Sequence, residues 1–275
     1  MSSKTHTSWA IGIDIGGTGI KVGLVDTATG SLPFKRVRVL TPKPATPEAV
    51  ISEVAGAVDQ LLEKAVRKAA IGHADEVADV PLGVAFPGVI KDDTVSFCPN
   101  LDQSWLGESL GAAIQERTGR VCYSLNDADA AGFAEMAFGA GRDWRHGVVL
   151  VTTLGTGIGT ALFTSGHLVP YTELGHLEID GHDAETRAAE SVKVREGLDY
   201  PTWAARLQRY YEELEKLFTP DVFIVGGGVS KSHEEFLPLL RLHTPIVPAH
   251  LLNDAGVVGA AALAANAGKA KVKKK

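Results

Sequence analysis

The alternation of apolar and polar residues at the start of the chain predicts a β-hairpin. Residues 9–26 form two apolar runs separated by a glycine turn, and residues 35–40 predict a third strand. Apolar residues then recur at helical spacing over residues 48–68, which predicts an amphipathic helix. Its expected buried face consists of Val50, Ile51, Val54, Val58, Leu61, Leu62 and Ala65.

The remainder of the first half alternates between short strands and helices. We expect strands at 80–86 and 121–125, and helices at 104–118 and 127–138. Each of these two helices is followed by a glycine, Gly119 or Gly139, which is typical of a helix C-terminus.

The second half begins again with strand, glycine turn and strand, at 148–151 and from residue 158 onward. A helix is predicted at 200–218, a strand at 222–225, and an alanine-rich closing helix at 253–267. The expected buried face of the 200–218 helix is Leu207, Tyr210, Tyr211, Leu214 and Leu217. The repeated order predicts an α/β protein of two lobes, with a boundary near residues 127–140.

Two glycine-rich turns are near copies of each other. Residues 14–21 are DIGGTGIK, and residues 153–159 are TLGTGIG. Glycines with a threonine hydroxyl let backbone N–H groups approach an anion closely. Neither turn fits the dinucleotide fingerprint or the P-loop, and each alone could be only a tight hairpin. As a pair, they suggest two related domains that hold one phosphate chain between them.

Two carboxylates stand beside predicted turns. Asp14 precedes the first turn, where it could cap the turn or lie near a Mg²⁺ ion bound to phosphate. Asp127 follows Asn126 at the end of a strand and the start of a helix. The pair could form an N-cap, and Asp127 could also be a general base on a substrate hydroxyl. The two roles are compatible.

The segment 172–178 follows the second predicted hairpin. Its Glu173 and His176 could both bind one polyol, since carboxylates accept hydrogen bonds from sugar hydroxyls. The nearby His182, Asp183 and Glu185 raise the question of a metal site. Structural zinc favours cysteine and histidine at short spacings, and the sequence has no cysteine after Cys122. We therefore expect no zinc.

Net charge, cysteine content and the distribution of apolar residues indicate which partners and which cellular location to expect. The chain has 275 residues and a formal net charge of −6, so we expect no nucleic-acid partner. Two cysteines, Cys98 and Cys122, predict buried free thiols in a reducing cytoplasm. We expect no signal peptide and no membrane span. Residues 268–275 contain five lysines, which predict a solvated tail or, as the alternative, a contact with a polyanion.

In combination and order, these motifs resemble the ROK family of sugar kinases. They are DIGGTGIK at 14–21, the pair Asn126 and Asp127, GTG at 155–157, and ELGH at 173–176. The resemblance implies the actin-like/hexokinase-type ATPase fold, with duplicated α/β domains and a cleft between them. It also implies an N-terminal lobe of residues 1–126 plus a returning helix at 253–275, and a C-terminal lobe of residues 127–252.

Further segments resemble the polyphosphate-using branch of that family. They are CPNL at 98–101 with Trp105, DAETR at 183–187, and FIVGGGVSK at 223–231. Typical ROK members carry a cysteine-rich zinc motif after the Gly-His pair, and this chain lacks it. The polyphosphate branch is similar in lacking that motif.

The resemblance implies a role for each matching residue. Asp127 corresponds to the catalytic base. The hexose-binding positions are Gly88, Asn100, Asn126, Asp127, Glu173, His176 and Glu185. The two phosphate turns are Gly16, Gly17 and Thr18, with Lys21 as a neighbouring cation, and Gly155, Thr156 and Gly157. The nucleotide turn is Gly226, Gly227 and Gly228. Asp14 is expected to lie near the metal.

The expected activity is phosphorylation of glucose, and of mannose, at the 6-hydroxyl, with polyphosphate or ATP as donor and Mg²⁺ as cofactor. Lys21 and Lys231 are candidate cations for a polyphosphate track. One alternative is a strictly ATP-dependent ROK kinase for fructose, allose or N-acetylmannosamine. A remote alternative is a non-catalytic sugar-sensing ROK protein, which would need a DNA-binding segment ahead of Trp9. A monomer or a homodimer is expected.

Overall fold

The computed structural model of the chain describes residues 9–68, 80–99 and 101–272. The chain divides into two compact units. Unit 1 comprises residues 1–134 and 256–275, and unit 2 comprises residues 135–255. The described parts of both units combine strands and helices, as the predicted α/β class requires.

The strands and helices have the following bounds. The strands are β1 Trp9–Ile15, β2 Gly19–Asp26, β3 Val37–Leu40, β4 Leu82–Phe86, β5 Val89–Lys91, β6 Thr94–Phe97, β7 Cys122–Asn126, β8 Val148–Leu154, β9 Ile158–Thr164, β10 His167–Val169, β11 Glu178–Ile179, β12 His182–Asp183, β13 Val222–Gly226 and β14 Ile246–Pro248. The helices are α1 Pro47–Arg67, α2 Leu110–Thr118, α3 Asp127–Phe138, α4 Glu185–Ala188, α5 Glu190–Glu196, α6 Tyr200–Phe218 and α7 Ala255–Val272.

The described residues of each unit contain one five-stranded sheet, and the two sheets have the same topology. In unit 1 the order is β3-β2-β1-β4-β7, with antiparallel β3, β2 and β1 followed by parallel β4 and β7. In unit 2 the order is β10-β9-β8-β13-β14, with the same change from antiparallel to parallel pairing. The predicted duplication is therefore visible in the strand order.

In unit 1 the core lies between the sheet and helix α1. Val54, Val58 and Leu61 of α1 are buried with the side chains of β1, β2 and β4. Helix α7 packs closely on the sheet. A Cβ atom added at Gly12 would lie 1.7 Å from the carbonyl oxygen of Val257, and one at Gly83 would lie 1.9 Å from that of Ala260. Only glycine permits this approach of helix backbone to strand backbone.

In unit 2 the core lies between the sheet and helix α6. The helix begins after Asp199, whose side chain accepts a hydrogen bond from the N–H of Thr202, and it ends at Phe218 as predicted. Trp203, Leu207, Tyr211 and Leu214 are buried with residues of β8 and β13. Leu217 was wrongly predicted for the buried face, because it is 54% exposed.

The predicted helix at 104–118 is wrong at its beginning. Residues Gln103–Trp105 form a separate 3-10 turn, and helix α2 begins only at Leu110. The carboxylate of Asp93 accepts hydrogen bonds from the N–H groups of Gly111 and Ala112, at 2.8 and 3.0 Å. Asp93 therefore satisfies the first turn of α2 from another part of the chain.

The two cysteines are free thiols, as predicted. Cys98 is buried, also as predicted, whereas Cys122 is partly exposed. Burial raises the pKa of the Cys98 thiol. No helix in the described part of the chain combines the length and the apolar character that crossing a membrane requires.

Candidate active site

The first glycine turn, which we call turn 1, consists of residues 16–19 between β1 and β2. The N–H of Gly16 donates to the carbonyl oxygen of Gly19 at 3.0 Å, which closes the turn. The hydroxyl of Thr41 donates to the carbonyl oxygen of Gly16 and fixes the turn to the loop after β3. Gly17 and Thr18 are exposed at the tip. Turn 1 is thus an anchored loop with an exposed tip, as anion binding by backbone N–H groups requires.

Asp14 and Lys21 face each other across the hairpin at the base of turn 1. They are direct partners in the β1–β2 register, and Lys21 Nζ lies 2.7 Å from Asp14 Oδ2. Their side chains are 16% and 29% exposed, so the ion pair is partly buried. A Cβ atom at Gly256 would lie 2.9 Å from Asp14 Cγ, so the carboxylate also packs against the first turn of α7. Asp14 lies at the edge of the turn and is paired.

Asn126 is the last residue of β7, and its side chain links the start of α3 to the loop after β4. Its Oδ1 accepts hydrogen bonds from the N–H groups of Ala128 and Asp129, at 2.7 and 3.2 Å. Its Nδ2 donates to the carbonyl oxygen of Gly88 at 3.1 Å. The predicted N-cap is therefore present and is formed by Asn126. The hydrogen bond to Gly88 brings together two of the predicted hexose-binding positions.

Asp127 is the first residue of α3 and is exposed. Its Oδ1 accepts a hydrogen bond from the N–H of Ala128 at 2.8 Å, which fixes the carboxylate at the helix N-terminus. The role of Asp127 as a general base stays a prediction. Asn100, which was predicted to bind the hexose, lies outside the described residues.

The second glycine turn, turn 2, consists of residues 155–157 between β8 and β9. The N–H of Gly155 donates to the carbonyl oxygen of Gly157 at 3.0 Å. Ser191 of α5 stabilises the turn with two hydrogen bonds. Its N–H donates to the carbonyl oxygen of Gly155 at 3.0 Å, and its hydroxyl donates to the carbonyl oxygen of Thr156 at 2.6 Å. Sequence reasoning missed Ser191, because nothing in the local pattern links α5 to a turn 35 residues earlier.

The other two glycine motifs of unit 2 pack against the two ends of turn 2. A Cβ atom at Gly227 would lie 2.1 Å from the carbonyl oxygen of Leu154, just before the turn. One at Gly175 would lie 2.1 Å from the carbonyl oxygen of Ile158, just after it. Gly226 ends β13, and Gly228 begins two successive 3-10 turns, which are separated by a kink at Ser232 and extend to Glu235. The predicted nucleotide turn and the Glu-Leu-Gly-His motif therefore both adjoin turn 2.

The predicted hexose-binding side chains of unit 2 form a cluster around His176. Its Nδ1 lies 2.8 Å from Asp183 Oδ2 and 4.0 Å from Glu185 Oε1. The hydrogen bond to Asp183 raises the pKa of His176, and the carboxylates of Glu185 and Glu173 add to that effect. Burial raises the pKa of Glu173, although nearby His176 opposes the shift. Sequence reasoning assigned Asp183 no part in this cluster beyond the metal question.

Glu185 contacts both the cluster and turn 2. Its Oε2 accepts a hydrogen bond from the N–H of Ile158 at 3.1 Å and lies only 2.3 Å from where a Cβ at Gly157 would be. Its Oε1 faces His176. One carboxylate thus joins the candidate sugar-binding group to the candidate phosphate turn.

The same cluster could hold a metal ion. One ligand atom from each of His176, Asp183 and Glu185 lies within 4.8 Å of the other two. One imidazole and two carboxylates are ligands that several divalent ions accept. The expectation that the protein contains no zinc therefore stays a prediction.

Comparison with known proteins agrees with the sequence motifs. The family described as "ROK family" matches residues 10–193. The polyphosphate glucokinase of Mycobacterium tuberculosis (strain CDC 1551 / Oshkosh) is 44% identical over 254 residues, which cover 91% of this chain and 89% of the relative.

Solved structures give the same result. The inorganic polyphosphate/ATP-glucomannokinase of Arthrobacter sp. strain KM is 51% identical, with a TM-score of 0.85 and coverage of 94% of this chain and 99% of the other. The ROK family glucokinase of Streptomyces griseus, solved with glucose and AMPPNP, is 28% identical, with a TM-score of 0.77 and coverage of 94% and 99%. The predicted resemblance and the actin-like α/β fold class are confirmed.

Proposed function

The chain belongs to the ROK family, and from this premise we propose that it phosphorylates glucose at the 6-hydroxyl, with inorganic polyphosphate or ATP as donor. The identity of 44% with a polyphosphate glucokinase, over most of both chains, supports the acceptor and the polyphosphate donor. The 51% identity with a polyphosphate/ATP-glucomannokinase supports both donors. Mannose is proposed as a second acceptor because it differs from glucose only at C2.

One observation in the structure carries this proposal. Glu185 accepts the N–H of Ile158 at the end of turn 2 and faces His176 at 4.0 Å. A group that binds hydroxyls is thereby fixed next to a turn suited to phosphate. Such positioning is the main protein contribution to phosphoryl transfer, where little covalent chemistry falls to the protein.

Each residue of the site has a proposed task. Glu173, His176 and Glu185 bind hexose hydroxyls, since carboxylates accept from hydroxyls and an imidazole can accept or donate. Asp127 orients the 6-hydroxyl and accepts its proton, and Asn126 holds the helix end that carries Asp127. The backbone N–H groups of turns 1 and 2 stabilise the charge that develops on the phosphoryl oxygens.

The residues at turn 1 fit a role for Mg²⁺. Asp14 offers a carboxylate, the ligand type that Mg²⁺ prefers, and its Oδ2 is shared with Lys21. Asp14 would hold the ion through its waters or through donor oxygens. When bound, Mg²⁺ neutralises the charge of the phosphoanhydride. Lys21 adds a second positive charge at the base of the same turn.

The two donors differ in what they require beyond the terminal phosphoryl group. ATP needs a place for adenosine, for which we propose the turn at Gly226–Gly228. Polyphosphate needs further cations, for which we propose Lys21 and the exposed Lys231. More cation contacts imply a steeper dependence on salt, because each contact is screened.

The proposal is tested by a coupled assay of hexose 6-phosphate formation, with sugar and donor varied independently. Asp127→Asn should lower kcat by about 10²-fold or more and change the sugar KM less. Glu48→Gln is the matched control, because Glu48 is also an acid in the first turn of a helix. Equal activity of the two variants would reduce Asp127 to a structural role.

Other outcomes of this assay separate the alternatives. Strict dependence on ATP at low salt would keep the kinase and remove the polyphosphate donor. Phosphorylation of fructose or N-acetylmannosamine, but not glucose, would change the acceptor. Phosphorylation of none of these sugars would favour a sugar-sensing protein.

The proposal also covers the cellular location, the domain limits and the oligomeric state of the enzyme. The free thiols of Cys98 and Cys122 support a cytoplasmic location. We propose that one domain comprises residues 1–126 and 253–275 and the other residues 127–252. We also propose that the protein is a monomer or a homodimer.

A further inference from the structure

The loop that carries Glu173 begins where the pairing between β9 and β10 ends. Strand β10 pairs with residues 162–164 of β9, and its last residue is Val169. The next residue, Pro170, has no N–H and cannot donate to a continued ladder. Tyr171 then has a φ of 65°, which turns the chain. The ladder therefore ends before residues 172–174.

The hydroxyl of Thr160 in β9 binds these residues instead. It donates to the carbonyl oxygen of Thr172 at 2.9 Å and accepts a hydrogen bond from the N–H of Leu174 at 3.1 Å. A hydroxyl can donate once and accept at the same time, so the two bonds are compatible. Thr160 is only 2% exposed, so water competes little for its hydroxyl. One buried hydroxyl thus holds the backbone on both sides of Glu173.

Neighbouring contacts extend this attachment along the loop. The hydroxyl of Thr172 donates to the carbonyl oxygen of Thr160 at 3.4 Å. The N–H of His176 donates to the carbonyl oxygen of Glu173 at 3.0 Å. The backbone position of Glu173 therefore also influences His176, the second sugar-binding candidate in this loop.

The carboxylate of Glu173 needs a well-defined position. It is half-buried, and burial raises its pKa. A hydrogen bond from a hydroxyl to an oxygen has a length of about 2.5–3.0 Å, so a displacement of about 1 Å breaks it. The affinity for a polyol should therefore depend on what fixes the backbone at Glu173.

Strand β9 fixes two of the candidate sugar ligands. The N–H of Ile158 donates to Glu185 at 3.1 Å, and Thr160, two residues later, holds the loop of Glu173. The two carboxylates are close enough for Glu185 to raise the pKa of Glu173. Their relative position is therefore set from a single strand.

We propose that Thr160 is a positioning residue for sugar binding, and that its hydroxyl sets the position of Glu173 relative to Glu185. Thr160 acts through the loop and makes no contact with the sugar. The inference rests on the proposed function, because it requires that Glu173 binds a hexose hydroxyl. It adds that a residue of β9 controls the affinity for the sugar and not the affinity for the phosphoryl donor.

Two substitutions separate the hydroxyl from the shape of the side chain. Thr160→Val removes the hydroxyl at similar volume and leaves the carbonyl of Thr172 and the N–H of Leu174 without it. The dissociation constant of glucose, measured by calorimetry without donor, should rise about tenfold or more, as for loss of a hydrogen bond to a charged group. The KM of the donor should stay near its wild-type value. Thr160→Ser keeps the hydroxyl and should restore most of the affinity.

Thr244→Val is the matched control for loss of a buried hydroxyl. Thr244 is 9% exposed, and its hydroxyl donates to the carbonyl oxygen of Pro220 at 3.2 Å. Pro220 precedes β13, whose other end is Gly226. Thr244→Val should lower stability in urea unfolding but bind glucose as wild type does. Hydrogen exchange at residues 172–176 should become faster in Thr160→Val and stay unchanged in Thr244→Val.

A double-mutant cycle with Glu173→Gln tests whether Thr160 acts through Glu173. Two residues that act through one contact give non-additive effects, whereas independent effects add. Thr160→Val should therefore weaken glucose binding much less in the Glu173→Gln background than in wild type. Fully additive losses would contradict a positioning role.

The outcomes distinguish this inference from the proposed function. If wild type phosphorylates glucose and Thr160→Val binds glucose equally well, the inference is overturned and the proposed function stands. Equal weakening in Thr160→Val and Thr160→Ser would also overturn it, because the hydroxyl would not be the cause. If wild type phosphorylates no hexose, both fail. If Thr160→Val does not fold, Thr160→Cys decides by the same measurements, because a thiol is a weak donor and acceptor.

Discussion

Gly227 should tolerate no side chain, and its replacement tests how turn 2 is held in place. The residue has a φ angle of 87°, in the region that favours glycine. A Cβ atom would lie 2.1 Å from the carbonyl oxygen of Leu154 and 2.6 Å from its nitrogen. Both neighbours are backbone atoms of β8, directly before turn 2, and cannot rotate away as a side chain could.

The expected loss of stability in Gly227→Ala has two parts. With a φ of 87° and a ψ of 178°, Gly227 has an extended positive-φ conformation that is essentially restricted to glycine, and it costs another residue about 1–3 kcal/mol. Ordinary Cβ contacts begin at 3.4 Å, so the strand or the Gly226–Gly228 segment must also move by more than 1 Å. Overpacking of this kind costs about 1–3 kcal/mol. The free energy of unfolding should therefore fall by about 2–6 kcal/mol.

The same displacement should also lower the rate of the proposed phosphoryl transfer. Leu154 immediately precedes Gly155, so a shift of its backbone moves the N–H groups of turn 2. A misplacement of about 1 Å can lower the rate of an oriented reaction by about 10²-fold. We expect a loss of that order in kcat/KM for the phosphoryl donor.

Urea unfolding followed by circular dichroism, with the coupled kinase assay, measures both effects, and two glycines serve as matched controls. Gly226→Ala should change stability much less than Gly227→Ala, because the nearest neighbour of its Cβ would be at an ordinary contact distance of 3.5 Å. Gly181→Ala has a φ of 77° but nothing within 4 Å, so it should show the cost of a positive φ without a clash, about 1–2 kcal/mol. If Gly227→Ala is as mild as Gly226→Ala, the close packing of these segments is refuted.

Four further predictions concern the residues and ligands of the candidate site. Asn126→Ala should lower the free energy of unfolding by about 1–2 kcal/mol through loss of the N-cap. Asn126→Ser also loses the hydrogen bond to Gly88 but keeps an oxygen that can cap, so it should lose less in thermal unfolding, and equal losses would contradict the cap. The His176 pKa is raised by Asp183, so the stabilisation from protonated His176 is complete below the unfolded pKa of about 6.5 and is lost as pH rises through the folded value. Asp183→Asn should lower that pKa in an NMR titration, and an unchanged pKa would show that the hydrogen bond has no effect. Chelation of Mg²⁺ should abolish activity, and rising salt should reduce polyphosphate-dependent activity faster than ATP-dependent activity; equal slopes would argue against a longer cationic track.

Elements with a long amphipathic pattern and clear ends could be predicted from the sequence. Helix α6 has the predicted bounds, because an Asp cap begins it and its apolar residues repeat at helical spacing. The helix predicted at 104–118 was wrong at its beginning because its apolar spacing did not mark where the helix starts. Trp105 and Leu110 are both buried, but Gly107, with a φ of 88°, separates them into a turn and a later helix. Apolar spacing records burial and not the backbone path between buried residues.

The residues of the candidate site also fall into those that could be predicted from the sequence and those that could not. The glycine turns, the Asn126–Asp127 pair and the Glu173–His176 segment are visible in the sequence, because their chemistry depends on residues close together in the chain. Ser191, which braces turn 2, and Asp183, which contacts His176, were not assigned these roles. Their partners lie across loops whose paths local propensity does not specify.

The sequence by itself therefore determined the duplicated strand–turn–strand pattern, the family motifs and the chemical character of each motif. Only the tertiary structure decided that Gly227 and Gly175 pack on opposite ends of turn 2, that Glu185 joins that turn to His176, and that Thr160 holds the backbone on both sides of Glu173. Periodicity and turn chemistry act over a few residues and can be read along the chain. Contacts between distant segments depend on sheet order and on the close packing of backbones, which are fixed only when the whole unit folds.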